Sequence, residues 1–171
     1  MNLLDGAKDP GATRVLEEAL GICRDIGDRL GQASALKSLG RVRRLTGNYR
    51  EAARNLKEAL GIYRDLGSRG GEVEALNDAG TLHRARGDLR QAQACHQQAL
   101  GLAHQISSSW DEAHALVGLG RCALAVGRTD EAEDKLGQAL EVFQRIGAAE
   151  VGAVSAELHA LTGAQPAAPG L

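Results

Sequence analysis

The chain has 171 residues, enough for one domain with a real core or for a short stack of repeats, and it sets 20 Lys and Arg against 22 Asp and Glu for a net charge of −2. That balance gives no broad pull toward nucleic acid or a membrane surface, so no nucleic-acid partner is expected for this chain alone. Only 2% of the residues are aromatic, which leaves the interior to Leu, Ile, Val and Ala, a set that favours closely packed helices over strands.

The N-terminal stretch MNLLDGAKDPG has no basic region followed by an apolar one, so it does not read as a signal peptide. No run of about eighteen apolar residues occurs anywhere in the chain. Residues 1–8 read as an extension. A first helix is expected over 9–26, with Asp9 as its cap, Pro10 in its first turn and Gly27 stopping it. A second, 31–46, places Ala35, Leu36, Leu39 and Val42 on one face and ends at Gly47. The third, 49–66, starts from a capping box of Asn48 and Glu51, aligns Ala52, Leu56, Ala59, Leu60 and Tyr63, and closes with Leu66 before Gly67. Next come 70–86, ending at Gly87, and 89–106, which starts from Asp88 with Gln91 and ends at Ser107, where no glycine stands. Then follow 110–126, ending at Gly127, and 129–146, ending at Gly147; Arg128 occupies the cap slot of the latter, and Thr129 is its alternative cap. The last segment, 149–161, keeps an apolar stripe of Val151, Val154, Leu158 and Leu161, and 163–171 reads as a flexible tail.

Shifting the chain by forty residues brings seven positions into identity across three copies: Ala35/Ala75/Ala115, Leu36/Leu76/Leu116, Gly40/Gly80/Gly120, Gly47/Gly87/Gly127, Ala52/Ala92/Ala132, Ala59/Ala99/Ala139 and Leu60/Leu100/Leu140. One period without a gap marks an internal repeat, and that overrides local readings. Each copy is a helical hairpin, helix A followed by helix B. Ala12, Ala19 and Leu20 fall in the slots of Ala52, Ala59 and Leu60, so the chain opens on a helix B. The expected organisation is an array over 9–162, with a half repeat at 9–28, full repeats at 31–70, 71–110 and 111–149, and a terminal capping helix at 150–161. The fold class that follows is all-α, a right-handed solenoid of about eight stacked antiparallel helices. Glycines also recur inside helix B, at Gly21, Gly61 and Gly101, with Glu141 in the fourth copy. A slot that accepts glutamate is near the surface.

Helix pairs with Leu-Gly in helix A, Gly at the turn, and Ala then Ala-Leu in helix B resemble the tetratricopeptide repeat. The residues are Leu36, Leu39, Gly40, Gly47, Ala52, Leu56, Ala59 and Leu60, then Leu76, Ala79, Gly80, Gly87, Ala92, His96, Ala99 and Leu100, then Leu116, Leu119, Gly120, Gly127, Ala132, Leu136, Ala139 and Leu140. Three departures stand out. The family's helix A aromatics are replaced by Leu or by Arg43, His83 and Ala123, the closing proline is missing, and the period is forty instead of the usual ~34. This forty-residue, Gly/Ala/Arg-rich form is similar to the C-terminal repeat arms of actinobacterial transcriptional regulators and of STAND-class signalling NTPases. The resemblance implies a sensor or docking arm that has no chemistry of its own.

In such stacks helix A builds the concave face. Its positions off the apolar stripe are Ser34, Lys37, Arg41 and Arg44, then Glu74, Asn77, Thr81 and Arg84, then His114, Val117 and Arg121. The cations among them favour an acidic segment, a carboxylate terminus or a phosphorylated group as partner. No GxxxxGK, GxGxxG, GxSxG or HExxH occurs. His96 and His104 lie too far apart on one helix to share an ion, and His96 stands in the Leu56/Leu136 core slot, so neither a metal nor another cofactor is expected. Cys23, Cys95 and Cys122 have no CxxC spacing and read as reduced thiols in a cytoplasmic protein. The function expected is therefore a non-catalytic protein-interaction module in a bacterial regulator. The alternatives are a domain that senses a ligand or signal peptide, and a solenoid that self-assembles head to tail as a homo-oligomer through its terminal half repeats.

Overall fold

The computed structural model describes residues 10–163. They form eight helices in chain order: α1 Pro10–Asp25, α2 Arg29–Leu45, α3 Tyr49–Asp65, α4 Arg69–Ala85, α5 Leu89–Gln105, α6 Ser109–Ala125, α7 Thr129–Ile146 and α8 Val151–Gly163. No strand occurs among the described residues. Asp9, the extension before it and the tail after Gly163 lie outside them. Gly163 itself, expected in the tail, is the last residue of α8.

Each helix packs on the next, and α2 also touches α4 as α4 touches α6, whereas successive helix B members make at most marginal contact. The stack is thus tighter on its helix A side than on its helix B side.

The turns explain why the helices stop where they do. Gly27, Gly47, Gly67, Gly87, Gly127 and Gly147 all have positive φ, and Ser107, at φ 54°, is the one non-glycine among the described residues that does. After each of them an amide reaches back to a carbonyl five residues earlier, as in Asp28 to Cys23 (2.8 Å), Ser68 to Tyr63 (2.9 Å) and Ser108 to Ala103 (2.9 Å). The caps are less regular than the turns. Asp28 accepts from the Gly31 amide at 2.8 Å and Asp88 from the Gln91 amide at 3.3 Å, but two expectations need correction. The Asn48 side chain makes no cap bond and instead donates to Glu51 at 3.0 Å. Thr129 does not cap α7: Arg128 keeps the cap slot without a side-chain cap bond and pairs with Glu131 at 3.2 Å. Leu66, expected to close its helix, is exposed because it lies at the turn.

The repeated small residues set the helix spacing. Ala52, Ala92 and Ala132, and likewise Ala59, Ala99 and Ala139, are fully buried. A Cβ added at Gly40 would sit 2.6 Å from Leu56 Cγ, and one at Gly120 would sit 2.8 Å from Leu136 Cγ, so these glycines are where helix A lies against its helix B. A Cβ at Gly21, Gly61 or Gly101 would meet nothing within 4 Å, which fits their near-surface reading.

Candidate functional site

Eight of the eleven helix A residues named above line a pair of adjoining depressions. Two open pockets of about 220 Å³ and 110 Å³ lie there and share Asn77, Asp78 and His114. Arg41, Glu74, Trp110, Asp111 and Glu150 complete the larger, and Thr81, Arg84, His96, Val117, Gly118 and Arg121 the smaller. Ser34, Lys37 and Arg44 line neither pocket.

Charge is already partly answered within the face. Lys37 pairs with Glu74, Arg41 approaches Asp78 at 3.7 Å, and Arg121 makes a forked bond to Glu157 at 2.9 and 3.1 Å. Each pair joins one helix A to the next. The strip of cations expected to attract an acidic partner is therefore largely a set of inter-repeat ties, because the next helix A supplies a carboxylate about one repeat on. Arg44 differs. Its Nε is buried without a hydrogen-bond partner, and burial lowers its affinity for the proton while Asp78 opposes that effect. Burial pushes the Asp78 carboxyl up from the ordinary carboxylate range, with Arg41, Lys37, Arg44 and His114 pulling it down. The same burial lowers the Lys37 ammonium.

His96 is the least expected member. It belongs to helix B, in α5, yet its ring passes between α4 and α6 and lines the smaller pocket while only 2% of the residue is exposed. A Cβ at Gly80 would lie 2.6 Å from its Nε2, and one at Gly118 would overlap the ring from the other side. The two glycines thus form the slot that admits an imidazole where the neighbouring repeats hold leucine. Its Nδ1 lies 3.1 Å from Asn77 Oδ1, and Asn77 Nδ2 donates to the Asp111 carbonyl at 3.4 Å. That orientation makes Nδ1 the protonated nitrogen and leaves Nε2 a lone-pair acceptor, buried and without a partner. Burial, then the Arg84 and Arg121 charges, lowers the His96 pKa to about 4, so the ring is neutral at physiological pH.

Trp110, 48% exposed, is held against His114 with ring centroids 4.6 Å apart, and both rings meet Phe143 edge-on. His114 Nδ1 donates to the Trp110 carbonyl at 2.8 Å. On the far wall Glu150 has a buried Oε2 with no partner.

Sequence reasoning had not named Asp78, His96, Gly118, Trp110, Asp111 or Glu150 as part of this face. Two signals pointed at them: His96 breaks the Leu56/Leu136 pattern, and Gly118 stands in the slot of Ser38 and Asp78. Elsewhere, Cys122 is buried and Cys95 half-buried, and burial pushes both thiols up, away from nucleophilic character. Among the described residues no group of three His, Cys, Asp or Glu could hold a metal, and no helix is long and apolar enough to cross a membrane.

These repeats match the family model of the tetratricopeptide repeat over residues 11–65 and 71–145. The chain belongs to the tetratricopeptide repeat family. No curated protein sequence matches it. Among solved structures, BtubC (BKLC) from P. vanneervenii is similar with a TM-score of 0.77 at 18% identity, over 94% of this chain and 66% of that one. The nearly identical TPR-like repeats of a putative kinesin light chain from Podosopora anserina give 0.68 at 17% identity, over 94% of this chain and 82% of theirs. At such identities the likeness is one of fold. It agrees with the stack of helix pairs, and repeats of this family generally mediate protein–protein interaction.

Proposed function

We propose that the helix A side of the stack, built by α2, α4 and α6, is a concave face on which a polypeptide partner docks, and that the chain serves as the scaffold or sensor arm of a bacterial regulatory protein. The observation that carries the docking reading is the pair of pockets meeting at Asn77, Asp78 and His114. They form a depression with polar groups that converge and an exposed aromatic ring beside them, as recognition surfaces require. No nucleophile–base pair is among the residues that line the two pockets. The similarity of the forty-residue, arginine-rich repeats to regulator arms supports the setting. With Lys37, Arg41 and Arg121 engaged in ion pairs, Arg44 and Arg84 are the cations left for an acidic element of the partner.

Affinity capture with purified protein tests the reading. Trp110→Ala and Arg84→Glu on the helix A side are expected to lose a partner that Lys57→Glu and Gln97→Glu, on exposed helix B positions, retain. A partner lost with the helix B changes and kept with the others would place the interface elsewhere.

A second reading has its own observation. Val15 and Ile22 on α1 are 57% and 61% exposed, whereas Asn55 and Ile62, in the same slots of α3, are buried. A second copy presenting α8, which is a helix A, would cover them and extend the solenoid head to tail. Light scattering over a concentration series is expected to show mass growing with concentration on this reading, and a constant monomer mass opposes it.

A further inference from the structure

The unfilled hydrogen-bonding capacity of the helix A face is one-sided. Glu150 Oε2 is buried with no donor, and His96 Nε2 is a buried lone pair with no donor. Asp111, itself buried, receives one hydroxyl, from Ser108 at 2.6 Å, and has acceptor capacity to spare. A guest that satisfies this set must bring donors. The electrostatics agree in the larger pocket, where four carboxylates, Glu74, Asp78, Asp111 and Glu150, outnumber Arg41 and His114. Beside them the half-exposed Trp110 ring is fixed by its contacts with His114 and Phe143. A guanidinium or ammonium laid on an indole face and flanked by carboxylates gains from both at once.

We infer that the pocket between Trp110 and Glu150 receives the cationic end of an arginine or lysine side chain from a partner polypeptide, an inference that rests on the helix A side being the docking face. The head group lies on Trp110 and donates to Glu150 and Asp111. Arg84 and Arg121 line the smaller pocket with His96 and repel a second positive charge there. That end of the site accordingly takes a neutral donor, such as a backbone amide or hydroxyl, onto His96 Nε2. The polarity of the larger pocket is thus opposite to that of the Arg44 and Arg84 region, which is left for an acidic element. It follows from the inter-repeat ion pairs, which occupy Lys37 and Arg41 of the first repeat and leave Glu150 and Asp111 without a cation of their own.

Trp110 is the one tryptophan in the chain, so its emission reports this pocket alone. Full-length protein titrated with acetyl-Gly-Arg-Gly-amide is expected to give a saturable emission change below about 10 mM, the range open to a single side chain. Acetyl-Gly-Glu-Gly-amide and the neutral citrulline analogue should give none. Glu150→Gln keeps the side-chain shape and should weaken the arginine peptide at least about fivefold. Glu74→Gln, which frees Lys37, provides a second variant with the same expected direction. Circular dichroism melts show that either variant is folded before it is compared. No saturable change with the arginine peptide, an equal response to the glutamate or citrulline peptide, or an affinity unmoved in both variants overturns the inference. Capture of a partner that is sensitive to Arg84→Glu, together with failure of the arginine peptide, would keep the docking face and reject the cationic guest. Arginine-peptide binding without any partner that responds to helix A substitutions would do the reverse.

Discussion

The hairpin α2/α3 and the hairpin α4/α5 follow one backbone plan and fill it differently. In the first, Gly40 faces Leu56, and the former aromatic slot holds Arg43, which is 19% exposed. Arg43 ties three helices together, donating to Glu17 on α1 at 2.6 Å and to Asn55 on α3 at 2.9 Å, with Glu51 at 3.3 Å. In the second, Gly80 faces His96, and the same slot holds His83, whose Nδ1 is 3.6 Å from Asp88 and makes no hydrogen bond. Around this slot the first hairpin answers its polar groups, and its one buried unpartnered side-chain atom is Arg44 Nε on the helix A side. The other leaves two imidazole nitrogens unanswered, and one of them lines the helix A face. Polar satisfaction in the first is what a purely structural repeat needs, and its absence in the second is what a recognition repeat can use.

The largest expected effect tests the imidazole slot. Gly118→Ala drives a methyl group into the His96 ring, which cannot retreat because Gly80 holds its other side. Loss of about 3 kcal/mol in urea unfolding is expected from overpacking. Gly120→Ala meets Leu136 Cγ at 2.8 Å, a wider separation than that between a Gly118 Cβ and the His96 ring, and should lose less. Equal losses at the two sites would show that the ring is not confined. Arg43→Met comes next: it keeps the packing stem but strands the buried Asn55, for about 2–3 kcal/mol. His83→Met in the second hairpin should be close to neutral, and a comparable loss there would erase the contrast between the hairpins.

Most of the fold was legible in the sequence, because the forty-residue period fixed each glycine turn and each helix starts within two residues of its expected position. Caps were less legible, since Asn48 and Arg128 have carboxylates within reach that compete for their side chains. The helix A positions could be grouped from the period, but the pairing of their charges could not. Periodicity assigns Lys37 and Arg41 to one helix face but cannot show that Glu74 and Asp78 sit opposite them, because a pair across two helices leaves no short-range spacing. The same holds for His96, which a helical wheel assigns to the core and which three-dimensional packing carries through to the other side.

His96 also makes the second hairpin sensitive to pH. Its folded pKa, about 4, lies below the ordinary value of 6.5. The unfolded chain therefore takes up a proton first as pH falls through 6.5, and stability is lost from there down to about 4, where the folded state protonates as well. Between pH 7 and pH 5 this contributes a loss of about 2 kcal/mol. His96→Leu, which copies Leu56 and Leu136, should remove that part of the slope in urea titrations at the two pH values. An unchanged slope would mean that the ring is not shielded as the two glycines suggest.

The smallest effect has the opposite sign. Gly61 and Gly101 lie inside α3 and α5 with open space where a Cβ would go, and Glu141 occupies their slot in α7. Alanine at either position restores helix propensity and restricts the unfolded chain, so each substitution should stabilise the protein by about 0.5–1 kcal/mol. The two hairpins should respond alike, because this slot faces away from the helix contact in both. Gly40 and Gly80 should lose stability under the same substitution, since there the methyl group meets Leu56 or His96. One residue type then reports two environments by the sign of its response. Destabilisation by Gly61→Ala or Gly101→Ala would reveal a close approach on the helix B side, the side on which successive repeats make at most marginal contact.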